Sequence, residues 1–269
     1  MEKLPTGITG LDQLIGGGIP KGFNVLVTGA PGAGKSILGL QYLYNGAMNG
    51  DPCLYVALDS SKTQLWEQSR QFGWDMEKLE QENKLHTIEI PLNREVRVNL
   101  FQLITDKVVE WKVKRIVFDS ISSYMFNLNQ FIFEFPTSNN LTRIPEVYKR
   151  YLGENPLYRQ MVPERMLLER PDPRTYESSR PEQRMVYLAV RELSMLGTTN
   201  LIIVSAAYGG DKMTVDGVSE FVCDGVIMLD SVEIGNQYER VLRVVKMRLG
   251  KTVMDYRRFE ITEAGIVVH

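Results

Sequence analysis

The sequence predicts an α/β fold with a mostly parallel central sheet flanked by helices, and three observations carry that prediction. Apolar, β-branched segments alternate with helical stretches of ten or more residues. A glycine-rich turn joins one of these strands to the helix after it, and the last strands follow one another without helices between them. Such alternation argues for right-handed crossovers between parallel strands. The late run of strands argues for antiparallel additions at one sheet edge.

Ile8 to Ile15 reads as a short amphipathic helix ended by Gly16-Gly17-Gly18, packed in front of the strand that begins at Val25. That strand feeds Gly29-Ala30-Pro31-Gly32-Ala33-Gly34-Lys35-Ser36, and Ile37 to Met48 continues as a helix that Asn49-Gly50-Asp51-Pro52 breaks. Cys53 to Leu58 is a second buried strand, ending in Asp59-Ser60-Ser61. Lys62 to Phe72 has helical spacing, Leu85 to Ile90 alternates as a strand does, and Val96 to Trp111 is helical again. Arg115 to Ser120 is the next buried strand.

The pattern stops at about Asn127. The stretch from Phe131 to Pro181 holds seven of the twelve prolines, with nearly balanced charges, and is read as an insertion at about 127–180 with short helices near Pro145–Leu152 and Pro163–Glu169. A solvated insertion and a partner-binding or lid element both fit its arginines and tyrosines. Regular structure resumes with a helix from Glu182 to Leu196 and strands at Asn200–Ser205, Asp224–Leu229 and Arg240–Met247. Arg258 to Val268 closes as a hairpin turning at Glu263-Ala264-Gly265. No repeat or linker divides the chain, so residues 1–269 form one domain.

The composition is that of a soluble globular protein. A net charge of −2 and a pI near 5.9 give no global attraction to nucleic acid or to an anionic membrane. No run is long and apolar enough to span a membrane and the N-terminus lacks signal-peptide character, which predicts a cytoplasmic protein. Cys53 and Cys223 sit in apolar surroundings and read as buried free thiols; two histidines, His86 and His269, leave no His-rich metal site.

Gly29 to Ser36 fits G-x-x-x-x-G-K-[ST] in a strand–loop–helix context. Glycines let backbone N–H groups wrap a phosphate, and the helix N-terminus adds favourable charge. Lys35 reaches the β/γ-phosphates in such a site, and the Ser36 hydroxyl serves Mg²⁺. Asp119 ends an apolar strand where a carboxylate supports Mg²⁺, so Ser36 and Asp119 are the candidate metal residues. Asp59 is the acidic residue placed after the neighbouring strand to orient an attacking water. It equally suits an Asx-turn or a cap for the helix from Ser61. Ser205 ends an apolar run, where it can sense a γ-phosphate or simply hydrogen-bond locally. Lys246 and Arg248 emerge on one face of a late strand, either as surface decoration or as cations reaching the γ-phosphate of a neighbouring subunit.

Taken together, Thr6-Gly7-Ile8-Thr9-Gly10-Leu11-Asp12, Gly16 to Gly22, the P-loop, Gln41 to Gly46, Phe72-Gly73-Trp74-Asp75, Phe118-Asp119-Ser120, Gly217 to Gly225 and Lys246-Met247-Arg248 resemble the KaiC-like ATPases of the RecA superfamily. The resemblance implies a RecA-type P-loop core with ATP held between subunits of a hexameric ring. It implies nucleotide binding by Gly29, Ala30, Pro31, Gly32, Ala33, Gly34, Lys35, Ser36 and Ile37, Mg²⁺ support at Asp119, and contacts in trans from Lys246 and Arg248. One departure bears on activity: Asp59-Ser60 stands where KaiC-like proteins usually carry two adjacent glutamates. Aspartate is one methylene shorter, and misplacement by about 1 Å can cost ~10²-fold. The expectation is an ATP/ADP-binding, slowly hydrolysing regulatory ATPase with an unidentified protein partner. The alternatives are a non-hydrolysing nucleotide-dependent scaffold and a recombination accessory protein binding single-stranded DNA. The acidic pI and the short, weakly basic segment Tyr208–Asp216 stand against DNA binding; the insertion's arginines leave it open.

Overall fold

The computed structural model describes residues 1–90, 99–127, 181–207, 213–250 and 255–269. The strands are β1 (Lys3–Leu4), β2 (Ile19–Pro20), β3 (Asn24–Gly29), β4 (Cys53–Ala57), β5 (Leu85–Glu89), β6 (Arg115–Asp119), β7 (Thr199–Ser205), β8 (Gly225–Ile234), β9 (Gln237–Met247), β10 (Arg257–Thr262) and β11 (Gly265–Val268). The described helices are α1 (Leu11–Leu14), α2 (Lys35–Met48), α3 (Lys62–Arg70), α4 (Met76–Gln81), α5 (Leu100–Trp111), α6 (Ile121–Phe126), α7 (Pro181–Met195) and α8 (Ser219–Val222). The insertion expected at 127–180, with its two short helices, lies outside the described residues beyond Asn127.

Nine strands form one sheet in the order β11-β10-β9-β8-β3-β7-β6-β4-β5. All pairings from β8 through β5 are parallel, and β8–β9, β9–β10 and β10–β11 are antiparallel. This is the mixed, mostly parallel sheet the alternation predicts. One strand departs from the pattern: β8 lies beside β3 and parallel to it, because the chain from Ser205 travels back down the sheet through α8 before β8 starts.

Successive strand residues alternate between two cores. Val25, Val27, Tyr55, Ala57 and Val117 face α1 to α4, whereas Leu26, Leu54, Val56, Phe118 and Ile202 face α5 to α7. Side-chain caps explain several helix starts: Ser61 makes a capping box with Gln64, Asp75 accepts from Lys78 N, Asn99 from Gln102 N, and Ser120 from Ser123 N. The helices α4 and α6, too short to show a 3.6-residue period, are not among the helices read from the sequence; the structure starts them at the Asp75 and Ser120 caps. The N-terminal segment shares a core with Val25 and Val27 of β3 and is also tied to α2 and β11: Asn45 Nδ2 donates to the carbonyls of Thr6 and Gly7, and Thr9 bridges to Val267. Both cysteines are buried free thiols. Among the described residues no helix is long and apolar enough to cross a membrane.

Candidate nucleotide site

The parallel strands place four sequence-predicted groups at one edge of the sheet, since Gly29, Asp59, Asp119 and Ser205 all stand at or just past strand C-terminal ends. Ligands of open α/β sheets bind at this edge. Gly29 is required by close approach: a Cβ there would lie 2.3 Å from the Leu229 carbonyl oxygen on β8. Gly34 caps α2 with φ +99°, a left-handed conformation that opens the loop into the helix.

Within the loop, Lys35 Nζ donates to the Gly29 carbonyl at 2.8 Å and to the Ala30 carbonyl at 2.9 Å. Ser36 Oγ donates to Asp119 Oδ2 at 2.7 Å, and the buried Tyr55 hydroxyl donates to the same oxygen at 2.6 Å. Ser120 Oγ donates to Asp59 Oδ2 at 2.7 Å, so the two carboxylates hang from adjacent strands β4 and β6. Of the two readings of Asp59, the cap of α3 is supplied by Ser61 itself, and Asp59 is exposed toward the loop edge. Ser205 N donates to Ser122 Oγ, and Ala206 N donates to the Gly29 carbonyl.

Burial raises the pKa of Asp119; hydrogen bonds from Tyr55 and Ser36 oppose that shift, the charge of Asp59 adds to it, and that of Lys35 opposes it. Burial lowers the pKa of Lys35, with Asp119 and Asp59 opposing. A carboxyl whose folded pKa is raised costs stability at neutral pH, and the cost disappears as pH falls through the folded value to the unfolded one. Asp119→Asn is therefore expected to melt higher than the wild type at neutral pH without nucleotide. Its advantage should shrink on acidification, as differential scanning calorimetry across that range will show; an advantage independent of pH would contradict the assignment.

Lys246 and Arg248 are not brought to this edge. Gly225 pairs with both Val25 and Met247, and Arg248 N donates to the Asp224 carbonyl, so the pair lies at the opposite end of β3. Four residues of strand, on the order of 13 Å, separate Val25 from Gly29. Lys246 Nζ donates to the carbonyls of Glu220, Phe221 and Cys223 and so closes the C-terminal end of α8. Arg248 pairs with Asp224 Oδ1 at 3.1 Å and keeps 53% of its side chain exposed.

Fold and site together define a RecA-type P-loop domain. The KaiC ATPase family matches residues 4–133 and 159–269, passing over 134–158. The chain belongs to the KaiC ATPase family. It is 31% identical to a UPF0273 protein of Pyrococcus furiosus, over 100% of this chain and 94% of the relative. A UPF0273 protein of Thermotoga maritima is 29% identical, over 100% and 96%. The circadian clock oscillator protein KaiC of Prochlorococcus marinus is 25% identical; all of this chain matches 45% of that longer protein. A solved KaiC-like protein of Pyrococcus horikoshii superposes with a TM-score of 0.73 at 28% identity, covering 100% of this chain and 99% of that one.

Tyr55 is the site residue that sequence reading missed. Its signal was a single polar-tipped aromatic in an otherwise apolar strand, two residues before Ala57 and therefore on the same face.

Proposed function

We propose that this chain is a slow, Mg²⁺-dependent ATPase whose active sites are shared between neighbouring copies in a hexameric ring, and that nucleotide state sets how the ring engages a protein partner. The observation that carries the reading is the separation of the P-loop from Arg248 by the length of β3. An arginine held at the far end of the sheet serves the loop of another copy better than its own. Lys246 reaches a neighbouring phosphate only by leaving three carbonyl acceptors, so Arg248 is the cation assigned to that contact.

The residues fit the expected cation, since the Ser36 hydroxyl and the Asp119 carboxylate are hard oxygen donors 2.7 Å apart. Ser36 and Asp119 would hold the Mg²⁺, which when bound would supply neutralisation of the charge developing on the phosphates. The backbone N–H groups of Gly32, Gly34, Lys35 and Ser36 hold the phosphates, and Lys35 Nζ exchanges its two carbonyl partners for phosphate oxygens. Asp59, oriented by Ser120, takes the proton of the attacking water. Asp59 is shorter than the glutamate usual in the family, and this supports slow turnover.

The test is phosphate release from ATP by wild type, Asp59→Ala and Arg248→Ala over a range of protein concentrations. Turnover per chain should rise with concentration and fall at least about tenfold in each variant, in line with loss of one charge-stabilising or proton-accepting group. Mixing the two variants should restore part of the activity, because some interfaces then pair an intact Asp59 with an intact Arg248. Turnover per chain that ignores concentration and Arg248 would exclude the shared site. ATP binding with no turnover in any protein would leave the nucleotide-dependent scaffold, and salt-sensitive retention of a single-stranded oligonucleotide would favour the DNA-binding alternative.

A further inference from the structure

Tyr55 occupies the middle of β4 with 1% of its surface exposed. Its ring packs in the core between the sheet and α2, where a phenylalanine would meet the packing need without a polar atom to satisfy. The hydroxyl instead donates at 2.6 Å to Asp119 Oδ2, the oxygen that also accepts from Ser36 Oγ at 2.7 Å. A serine hydroxyl carries one hydrogen and two lone pairs. With that hydrogen given to Asp119, the lone pairs of Ser36 face away from the carboxylate. A carboxylate fastened by a second donor cannot turn about its Cβ–Cγ bond without breaking a buried hydrogen bond, which keeps the acceptor in place for Ser36.

We propose that Tyr55 is a positioning residue for the cation end of the nucleotide site: by fastening Asp119 it keeps the Ser36 hydrogen on the carboxylate and the Ser36 lone pairs available to the Mg²⁺ that accompanies the triphosphate. The inference rests on the P-loop reading. It differs from ordinary core satisfaction in what it predicts, because a core tyrosine supports the fold alike with and without the cation. Outer-shell partners of metal ligands typically change metal affinity by 10–100-fold when removed.

The test uses Tyr55→Phe, which keeps the buried ring and removes only the hydroxyl. Binding of a fluorescent ATP analogue is measured first in excess EDTA and then as Mg²⁺ is titrated in, with thermal unfolding of the nucleotide-free protein alongside. The expected result is unchanged affinity in EDTA and a Mg²⁺ midpoint raised on the order of tenfold. A second comparison places Tyr55→Phe in an Asp119→Ala background, where the oxygen that Tyr55 fastens is gone and the change should add nothing to the Mg²⁺ midpoint. An unchanged midpoint in Tyr55→Phe, whatever the melting temperature, or an additive loss in the double variant, overturns the proposal. Failure of the P-loop reading looks different: wild type would not bind the analogue, or Lys35→Ala would bind it as tightly as wild type does in EDTA.

Discussion

Lys35→Ala is expected to lower ATP turnover on the order of 10²–10³-fold and to weaken ATP binding, while the fold survives. Removing one preorganised charge-stabilising group from a site of this kind has that scale of effect. The fold is spared because the ammonium contributes little to it. Burial lowers the pKa of Lys35, so its charge is held at some desolvation cost, offset by the carbonyls of Gly29 and Ala30 and by the nearby carboxylates. Lys35→Arg is not a conservative rescue, since a planar guanidinium presents its donors in a different arrangement from a compact ammonium set between two carbonyls. Phosphate release and titration calorimetry read the effect. ATP affinity and turnover both equal to wild type in Lys35→Ala would remove the P-loop from the mechanism.

Arg115→Ala is expected to cost about 3–5 kcal/mol of stability, the range for breaking a buried ion pair. For a chain of this size that is on the order of 10 °C in melting temperature. Arg115 opens β6 with 1% exposure, and each of its three guanidinium nitrogens donates a hydrogen bond. Nε and Nη2 donate to Asp51 Oδ2 at 2.9 and 2.7 Å, and Nη1 donates to the Pro5 carbonyl at 2.7 Å. The group also lies over the Tyr42 ring, 4.9 Å from its centroid. Burial by itself would raise the pKa of Asp51, but hydrogen bonds from Arg115 and Lys114 outweigh it and hold the carboxyl below its ordinary value. Arg115 thereby ties the N-terminal segment, the end of α2 and the start of β6 at one point. Gly46 makes room for it, since a Cβ there would lie 2.5 Å from Arg115 Cδ. Thermal unfolding of Arg115→Ala, with Lys114→Ala as the exposed control, measures the difference; equal, small shifts in both would show that the buried pair is not what holds this corner.

The P-loop was legible in sequence because everything it needs lies within eight consecutive residues, Gly29 to Ser36, whose glycines, lysine and serine each answer a local demand. The parallel sheet was legible for a similar reason. Strand and helix periods are properties of contiguous segments, and short-range alternation restricts how those segments can connect. The strand ends therefore identified Asp119 and Asp59 before any coordinates.

What contiguous sequence did not contain is which distant side chains meet. The hairpin of β8 and β9 extends five residues past the pairing of β8 with β3, and its exposed residues, among them Tyr238 and Arg240, give no burial pattern to read. Lys246 looked free on a strand face, and only the path of α8 supplied its three carbonyls.

By itself, then, the sequence determined the glycine-rich loop between strand and helix, the α/β layering and which carboxylates stand at the strand ends, since local dihedral preference and periodicity encode them. Only the tertiary structure decided that Tyr55 and Ser36 share one oxygen of Asp119, that Asp51 and Pro5 share Arg115, and that Arg248 stands a strand's length from its own P-loop. The hydrogen-bonded pairings depend on sheet order and register, which bring together residues 64 to 110 positions apart.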